Sequence, residues 1–251
     1  MKVVPVAVNS DNYAYLIVNE ETKDAWAVDP AQWTKVAAAA DALGVTVRGV
    51  LTTHKHWDHA DGNGDAAAAL PDVPILGGST DVRAVTDIVK DGQVVETLPG
   101  LRVECLHTPC HTREHMLFLV NGKALFTGDT LFIGGCGRFF EGTAGEMLAA
   151  MDRIAALADD IDVWVGHEYT AANLRFAASV DGDNEALKAK IAWTAGEREA
   201  GRPTVPSTVA GERSFNPFMR TAEPAIQKAV GTVGDREATM AALREAKNNF
   251  K

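Results

Sequence analysis

Between Thr53 and His59 the chain reads Thr-His-Lys-His-Trp-Asp-His, which sets four metal-capable side chains, His54, His56, Asp58 and His59, within six positions. Only seven histidines occur in the 251 residues, at 54, 56, 59, 107, 111, 115 and 167, so three of them share one turn. Neutral imidazole nitrogen and carboxylate oxygen are ligands that suit zinc, iron and manganese. In an extended stretch residues two apart point the same way, so His54 and His56 can grip a single ion. Asp58 and His59 follow a change of direction and face a neighbouring position. The spacing points to two adjacent metals rather than one.

The chain is long enough to bury a full core, and its 46% hydrophobic and 23% charged content is that of an ordinary globular protein. No apolar run approaches the roughly 18 residues of a membrane span, and Met1 to Val6 carries no signal pattern, so no membrane partner is expected. The net charge of -10 disfavours nucleic acid, which needs a broad basic face. Three cysteines, Cys105, Cys110 and Cys136, make no disulfide framework and point to the cytoplasm.

Val3 to Val8, Tyr13 to Val18 and Ala25 to Val28 are short β-branched and aromatic runs that predict an antiparallel meander. An Ala-rich helix from Ala31 to Leu43 stops at Gly44, and Val45 to Leu51 is a buried strand feeding the histidine turn. A helix over 65–70 and strands over 101–106, 116–120 and 124–126 follow, the last two joined by an Asn121-Gly122 hairpin. Thr143 with Glu146 forms a capping box opening a helix to about Leu157, and Asp162 to Val165 is the last clear strand. After Tyr169 the texture becomes helical, over 171–179, 184–200, 224–230 and 235–246, with a Pro/Gly/Ser/Thr loop over 201–212. The division expected is a mixed sheet-and-helix domain over 1–168 and an all-helical region over 169–251.

The remaining ligand candidates stand at strand ends beside Gly or Pro, where loops present functional groups. They are His111 in Thr108-Pro109-Cys110-His111-Thr112, Asp129 in Gly128-Asp129-Thr130 and His167 in Gly166-His167-Glu168. No Ser-His-Asp arrangement or nucleophile elbow is visible. Asp29, after its strand, is placed either to orient a ligand imidazole or simply to begin a loop.

These stretches, with Asp11-Asn12-Tyr13, Gly135-Cys136-Gly137-Arg138-Phe139-Phe140-Glu141-Gly142, His167-Glu168-Tyr169-Thr170 and Asn216-Pro217-Phe218, resemble the metallo-β-lactamase superfamily. Within it they are most similar to the glyoxalase II (hydroxyacylglutathione hydrolase) family. The histidine turn and Gly-Asp-Thr mark the superfamily; the Gly-Cys-Gly run, His-Glu-Tyr-Thr and the helical tail mark the branch. The resemblance implies an α+β fold, an αββα sandwich of two mixed sheets flanked by helices, with a C-terminal all-helical substrate-binding region. It assigns His54, His56 and His111 to a first metal, Asp58, His59 and His167 to a second, and Asp129 to both. Asp58 and Asp129 become the catalytic carboxylates. His107 and His115 lie outside the pattern, His107 as a strand-end residue and His115 as one that either supports a ligand or simply packs.

Two divalent ions roughly 3.5 Å apart, zinc first with iron or manganese possible, would share a hydroxide that attacks a polarised carbonyl. A thiolate, with a pKa of about 8.5, leaves with little help from an acid. The residues themselves indicate metal-assisted hydrolysis; the thioester, S-(2-hydroxyacyl)glutathione and typically S-D-lactoylglutathione, comes from the resemblance, as does the place in methylglyoxal detoxification. Glutathione has two carboxylates, and Arg244 and Lys247, three apart on one helix face, match the family's Arg-x-x-Lys. Arg138, Phe139, Phe140, His167 and Tyr169 match other substrate-contacting positions. Arg138 stands where Lys is common, and Phe140 where many relatives have Tyr, a missing contact worth about 0.5–1.5 kcal/mol. The chain is expected to act as a monomer. Its main alternative is a persulfide dioxygenase with a single iron, a branch that generally lacks the helical tail. A β-lactamase and an RNA-processing nuclease fit less well, for want of an export signal and of a basic surface, and the complete ligand set argues against a non-catalytic metal binder.

Overall fold

From Tyr13 to Val18 an aromatic or aliphatic residue stands at every position and all are buried, so that stretch needs cover on both faces, and the architecture follows from meeting that demand. The computed structural model describes residues 1–98 and 100–250, main chain only at 97 and 98. They form two units, Met1–His107 with Glu114–Gly128, and Thr108–Arg113 with the residues from Asp129 onward.

In the first unit, β1 (Lys2–Val8), β2 (Asn12–Val18) and β3 (Asp24–Val28) are the expected antiparallel meander. After α1 (Trp33–Leu43) the chain returns as β4 (Thr46–Leu51), parallel to β3. The one-turn α2 (Trp57–Ala60) and α3 (Asn63–Ala69) precede β5 (Ile75–Gly77) and β6 (Asp87–Ile88), which extend the same sheet in parallel. β7 (Val94–Leu98), β8 (Leu101–His107), β9 (Met116–Val120) and β10 (Ala124–Gly128) form an antiparallel run in a second sheet.

Along β2, Ala14, Leu16 and Val18 share a core cluster with Trp33, Val36 and Ala40 of α1. Strand alternation turns Tyr13, Tyr15 and Ile17 the other way, where Tyr15 meets Phe126 of β10 edge-on at 5.3 Å. Each fully buried aliphatic side chain here contributes about 1.5–3 kcal/mol. Gly49 of β4 lies opposite Trp26, and a Cβ there would come within 2.4 Å of the indole, so the ring occupies the space a side chain would need. Asn121 and Gly122 both adopt positive φ, 51° and 62°, the geometry of the predicted hairpin turn.

The second unit contains β11 (Leu131–Phe132), β12 (Gly135–Cys136), α4 (Ala144–Ala155), β13 (Asp162–Val165), α5 (Thr170–Asp181) and α6 (Glu185–Glu199). It continues through β14 (Ser207–Thr208), α7 (Val209–Phe215), α8 (Pro224–Val230) and α9 (Arg236–Asn249). The capping box forms as predicted: Glu146 N–H donates to Thr143 Oγ1 at 3.2 Å and Thr143 N–H to Glu146 Oε2 at 2.8 Å. Packing of α5 on α8 and of α4 on α9 closes this unit, with Phe176 stacked on Phe218 at 6.1 Å.

Three expectations need correction. The first helix begins at Trp33 rather than Ala31. The tail is not purely helical, because Ser207–Thr208 pairs antiparallel with Asp162 and Val163. The loop over 201–212 also gives way to α7, whose Val209, Glu212 and Phe215 are buried. Glu212 there accepts hydrogen bonds from Ser207 Oγ, Gly134 N and Asn216 Nδ2, a tertiary network that no local pattern announces.

Candidate metal centre

A strand that ends in a buried turn must find partners for its freed main-chain groups, and the first unit supplies them with one carboxylate. Asp29, buried and at φ 47°, accepts from Thr53 N–H at Oδ1 and from the Thr53 hydroxyl at Oδ2, both at 2.7 Å. The hydroxyl proton thus committed, Thr53 Oγ1 accepts from His54 Nδ1 at 3.1 Å, which leaves the lone pair of His54 on Nε2. That atom lies 3.0 Å from His56 Nδ1. Two nitrogens bound to one tetrahedral ion at about 2.0–2.1 Å are about 3.3 Å apart, so this pair has the spacing of shared ligands.

The main chain then turns into α2, where the His56 carbonyl accepts from His59 and Ala60 N–H. This single turn carries Asp58 and His59. His59 Nδ1 donates to Asp29 Oδ2 at 2.9 Å, and its Nε2 stands 3.8 Å from Asp58 Oδ2. Asp29 therefore fixes the ring orientation of both His54, through Thr53, and His59, directly; of its two sequence readings, the orienting one holds. Asn12 Nδ2 donates to Asp58 Oδ2 at 3.0 Å, and Glu114 Oε1 accepts from Lys55 N–H at 2.8 Å. Sequence reasoning gave neither residue this role. The signal for Asn12 is its place in Asp11-Asn12-Tyr13, one of the stretches that carry the resemblance; Glu114 belongs to none of them. His115 is buried and stacks on His54 with centroids 4.8 Å apart, a packing role, while His107 closes β8.

In the second unit, Asp129, His111 and His167 come together. Thr108 and Thr130 hydroxyls bond at 3.0 Å across the two segments that carry His111 and Asp129. His111 Nδ1 donates to the Arg138 carbonyl at 3.0 Å, which leaves Nε2 as its lone-pair nitrogen. This nitrogen lies 3.4 Å from Asp129 Oδ2, and His167 Nε2 lies 3.4 Å from Asp129 Oδ1. The His111 lone pair facing a carboxylate oxygen at that distance is repulsive unless a proton or a metal ion lies between them. The donor set therefore fits metal ions, and the two oxygens of one carboxylate address two different imidazoles. All seven ligand candidates belong to His and Asp clusters able to hold an ion.

Around these ligands, Tyr169 stacks on His167 at 4.5 Å with 8° between planes, and Phe140 approaches His111 at 5.1 Å while staying exposed. Phe139 is half-buried and Arg138 exposed. On α9, Arg244 Nη1 donates to the Cys136 carbonyl at 2.8 Å and Lys247 Nζ to the Ala172 carbonyl at 3.4 Å. Burial, then the charges of Arg244, Arg175 and Arg138, holds the Lys247 ammonium below the usual lysine range. Burial pushes the Cys110 thiol up to about 12 and the Cys136 thiol to about 11, so neither is a nucleophile near neutral pH.

Residues 10–167 match the model of the metallo-beta-lactamase superfamily, and residues 168–250 match that of the hydroxyacylglutathione hydrolase C-terminus. A cytoplasmic hydroxyacylglutathione hydrolase of Arabidopsis thaliana is 43% identical over the whole of both chains. The chain belongs to the hydroxyacylglutathione hydrolase family. A hydroxyacylglutathione hydrolase-like protein of Gallus gallus is 42% identical over all of this chain and 91% of its own. Among solved structures, ETHE1 from Myxococcus xanthus superposes with a TM-score of 0.69 at 24% identity, covering 98% of this chain and 97% of that one. That likeness is one of fold: two mixed sheets flanked by helices, the metallo-β-lactamase sandwich, here with the family's helical C-terminal region. No helix among the described residues is long and apolar enough to cross a membrane.

Because Asp29 reaches the ligands only through its hydrogen bonds, Asp29→Asn is expected to weaken metal binding about 10–100-fold without removing a ligand. Competition with a chelator measures this on unreacting protein. Unchanged affinity would show that the Asp29 network does not set the imidazole orientations.

Proposed function

We propose that this chain hydrolyses S-(2-hydroxyacyl)glutathione thioesters, S-D-lactoylglutathione foremost, to a 2-hydroxy acid and glutathione, the second step of methylglyoxal detoxification. Asp129 carries the reading, its two carboxylate oxygens each presented to a different imidazole nitrogen. The names of relatives alike over the whole of this chain supply the substrate class. In this reading His54, His56 and His111 hold one divalent ion, Asp58, His59 and His167 hold another, and Asp129 joins both. Zinc is the first choice, with iron and manganese compatible with the same donors. When bound, such a pair supplies an activated water near neutral pH and polarises the scissile carbonyl.

The chain's own groups do the rest. Asp129 sets the separation of the two ligand groups. Asp58, its Oδ2 fixed by the Asn12 amide, orients the attacking water from one side. Arg138, Phe139, Phe140, His167 and Tyr169 line the acyl and cysteinyl portion, while Arg244 and Lys247 receive glutathione carboxylates. The departing thiolate needs no strong acid, and no side-chain nucleophile is required. Metal chemistry then resides in 1–168, and 169–251 adds a helical glutathione-binding part, a division that the two family-model matches favour. A cytoplasmic monomer completes the proposal; the cytoplasmic relative supports its location.

Metal analysis of the purified protein together with loss of thioester absorbance from S-D-lactoylglutathione tests the reading. Two metals per chain and rapid hydrolysis are expected. One iron per chain, with oxygen consumed in the presence of glutathione persulfide, would instead establish the dioxygenase alternative. Lys247→Ala should raise KM about ten-fold or more, the worth of a charge-assisted hydrogen bond, with kcat little changed. A loss confined to kcat would remove Lys247 from the glutathione pocket.

A further inference from the structure

Most arginines of the second unit answer a carboxylate. Arg198 pairs with Glu168, Arg213 with Asp159, Arg220 with Asp181 and Arg236 with Asp152. Arg138, Arg175, Arg244 and Lys247 do not: among the described residues, none of the four has a carboxylate within ion-pair reach. They come from three separate stretches, the segment after β12, α5 and α9, so their convergence is made by the tertiary fold.

Lys247 fixes the arrangement. Its ammonium donates to the Ala172 carbonyl at 3.4 Å and lies 5.8 Å from the Phe176 ring, both on α5. Arg175 is three residues beyond Ala172 and so projects from the same helix face. Arg244 precedes Lys247 by one turn of α9 and is tied to the Cys136 carbonyl, two residues before Arg138. Burial first, and then the like charges of Arg244, Arg175 and Arg138, destabilise the protonated form of Lys247.

Gathering four cations costs stability through self-repulsion. The chain has 34 acidic residues against 24 Lys and Arg, so carboxylates to neutralise the group were not scarce. A cationic group kept without such partners is an anion receptor awaiting its ligand. The Arg-x-x-Lys pair of α9 accounts for two of its members, and Arg138 for a third. We infer that Arg175 is a substrate-binding residue, pairing with Lys247 to receive one of the two terminal carboxylates of the glutathione moiety. This rests on the proposed glutathione thioester activity.

The experiment compares wild type with R175Q on S-D-lactoylglutathione and on two analogues, each with one terminal carboxylate replaced by its amide. For R175Q, KM should rise about five- to ten-fold with kcat unchanged, and discrimination against one of the two amides should largely disappear. Removing a like charge should also move the alkaline loss of binding to higher pH, since Lys247 is then easier to keep protonated. Without substrate, thermal stability should stay level or rise, because repulsion has been relieved. A KM within two-fold of wild type, an equal effect on both amides, or a clear loss of stability would each overturn the role of Arg175. If wild type hydrolyses glutathione thioesters and R175Q behaves normally, this inference alone fails. If wild type hydrolyses none, the functional reading fails with it.

Discussion

Asp129→Ala is expected to lower hydrolysis of S-D-lactoylglutathione by about 10³-fold or more, roughly 4 kcal/mol of transition-state stabilisation, and to strip metal from both positions. Among the described residues, no other side chain presents one oxygen to the His111 nitrogen and the other to the His167 nitrogen, each at 3.4 Å. Removal therefore takes the shared carboxylate from two imidazole partners in one step. Asp29→Asn acts only through hydrogen bonds to ligand rings, and its smaller expected loss ranks the two carboxylates by mechanism. Asp129→Asn separates charge from shape. It keeps the side-chain volume but only one ligand oxygen, so it should retain metal at a single position. Metal content per chain and steady-state rates, measured on the same preparations, decide the matter. Full activity and full metal in Asp129→Ala would remove it from the centre altogether.

The ligand candidates most legible in the sequence are those written locally. His54, His56, Asp58 and His59 lie within one turn, and residue spacing alone separates them into two directions. The partners that hold them are remote: Asp29 lies 30 residues from His59, and Asn12 lies 46 from Asp58. A side chain whose role is set by such a contact leaves no mark on its neighbours, and Glu114 shows this most plainly. The same division runs through the fold. The meander, the Asn-Gly hairpin and the capping box follow from alternation, turn chemistry and a four-residue exchange of hydrogen bonds. β5, β6 and β14 are too short to show a period. α7 was hidden because Glu212, a buried member of its inward face, counts as polar until Ser207, Gly134 and Asn216 are seen around it. Arg175 was missed for a related reason, because it belongs to no motif and acquires meaning only from what α9 brings to its helix face.

Gly137→Ala should be among the most damaging single changes outside the ligands, and its cause is steric. A Cβ at Gly137 would come within 1.9 Å of the Asp129 carbonyl oxygen and 3.0 Å of His111 Nδ1. The first contact is with main chain, which cannot rotate aside as a flexible side chain would. Gly137 N–H also donates to Thr130 O at 3.2 Å, and the next carbonyl, that of Arg138, accepts from His111. Relieving the clash means moving either the Asp129 segment or the strand end that orients His111. The expected cost is about 3 kcal/mol of stability, at the upper end for overpacking, together with weakened metal binding. Gly196→Ala is the control. It sits inside α6 with open space around the added methyl, and should gain up to about 1 kcal/mol from helix propensity alone. Denaturant unfolding of the two variants, with metal content measured alongside, separates a general glycine effect from a local one. If Gly137→Ala matched wild type in both, the close approach that locks Asp129 against the His111 loop would not exist in solution, and the tight spacing of Asp129 and His111 would need another cause.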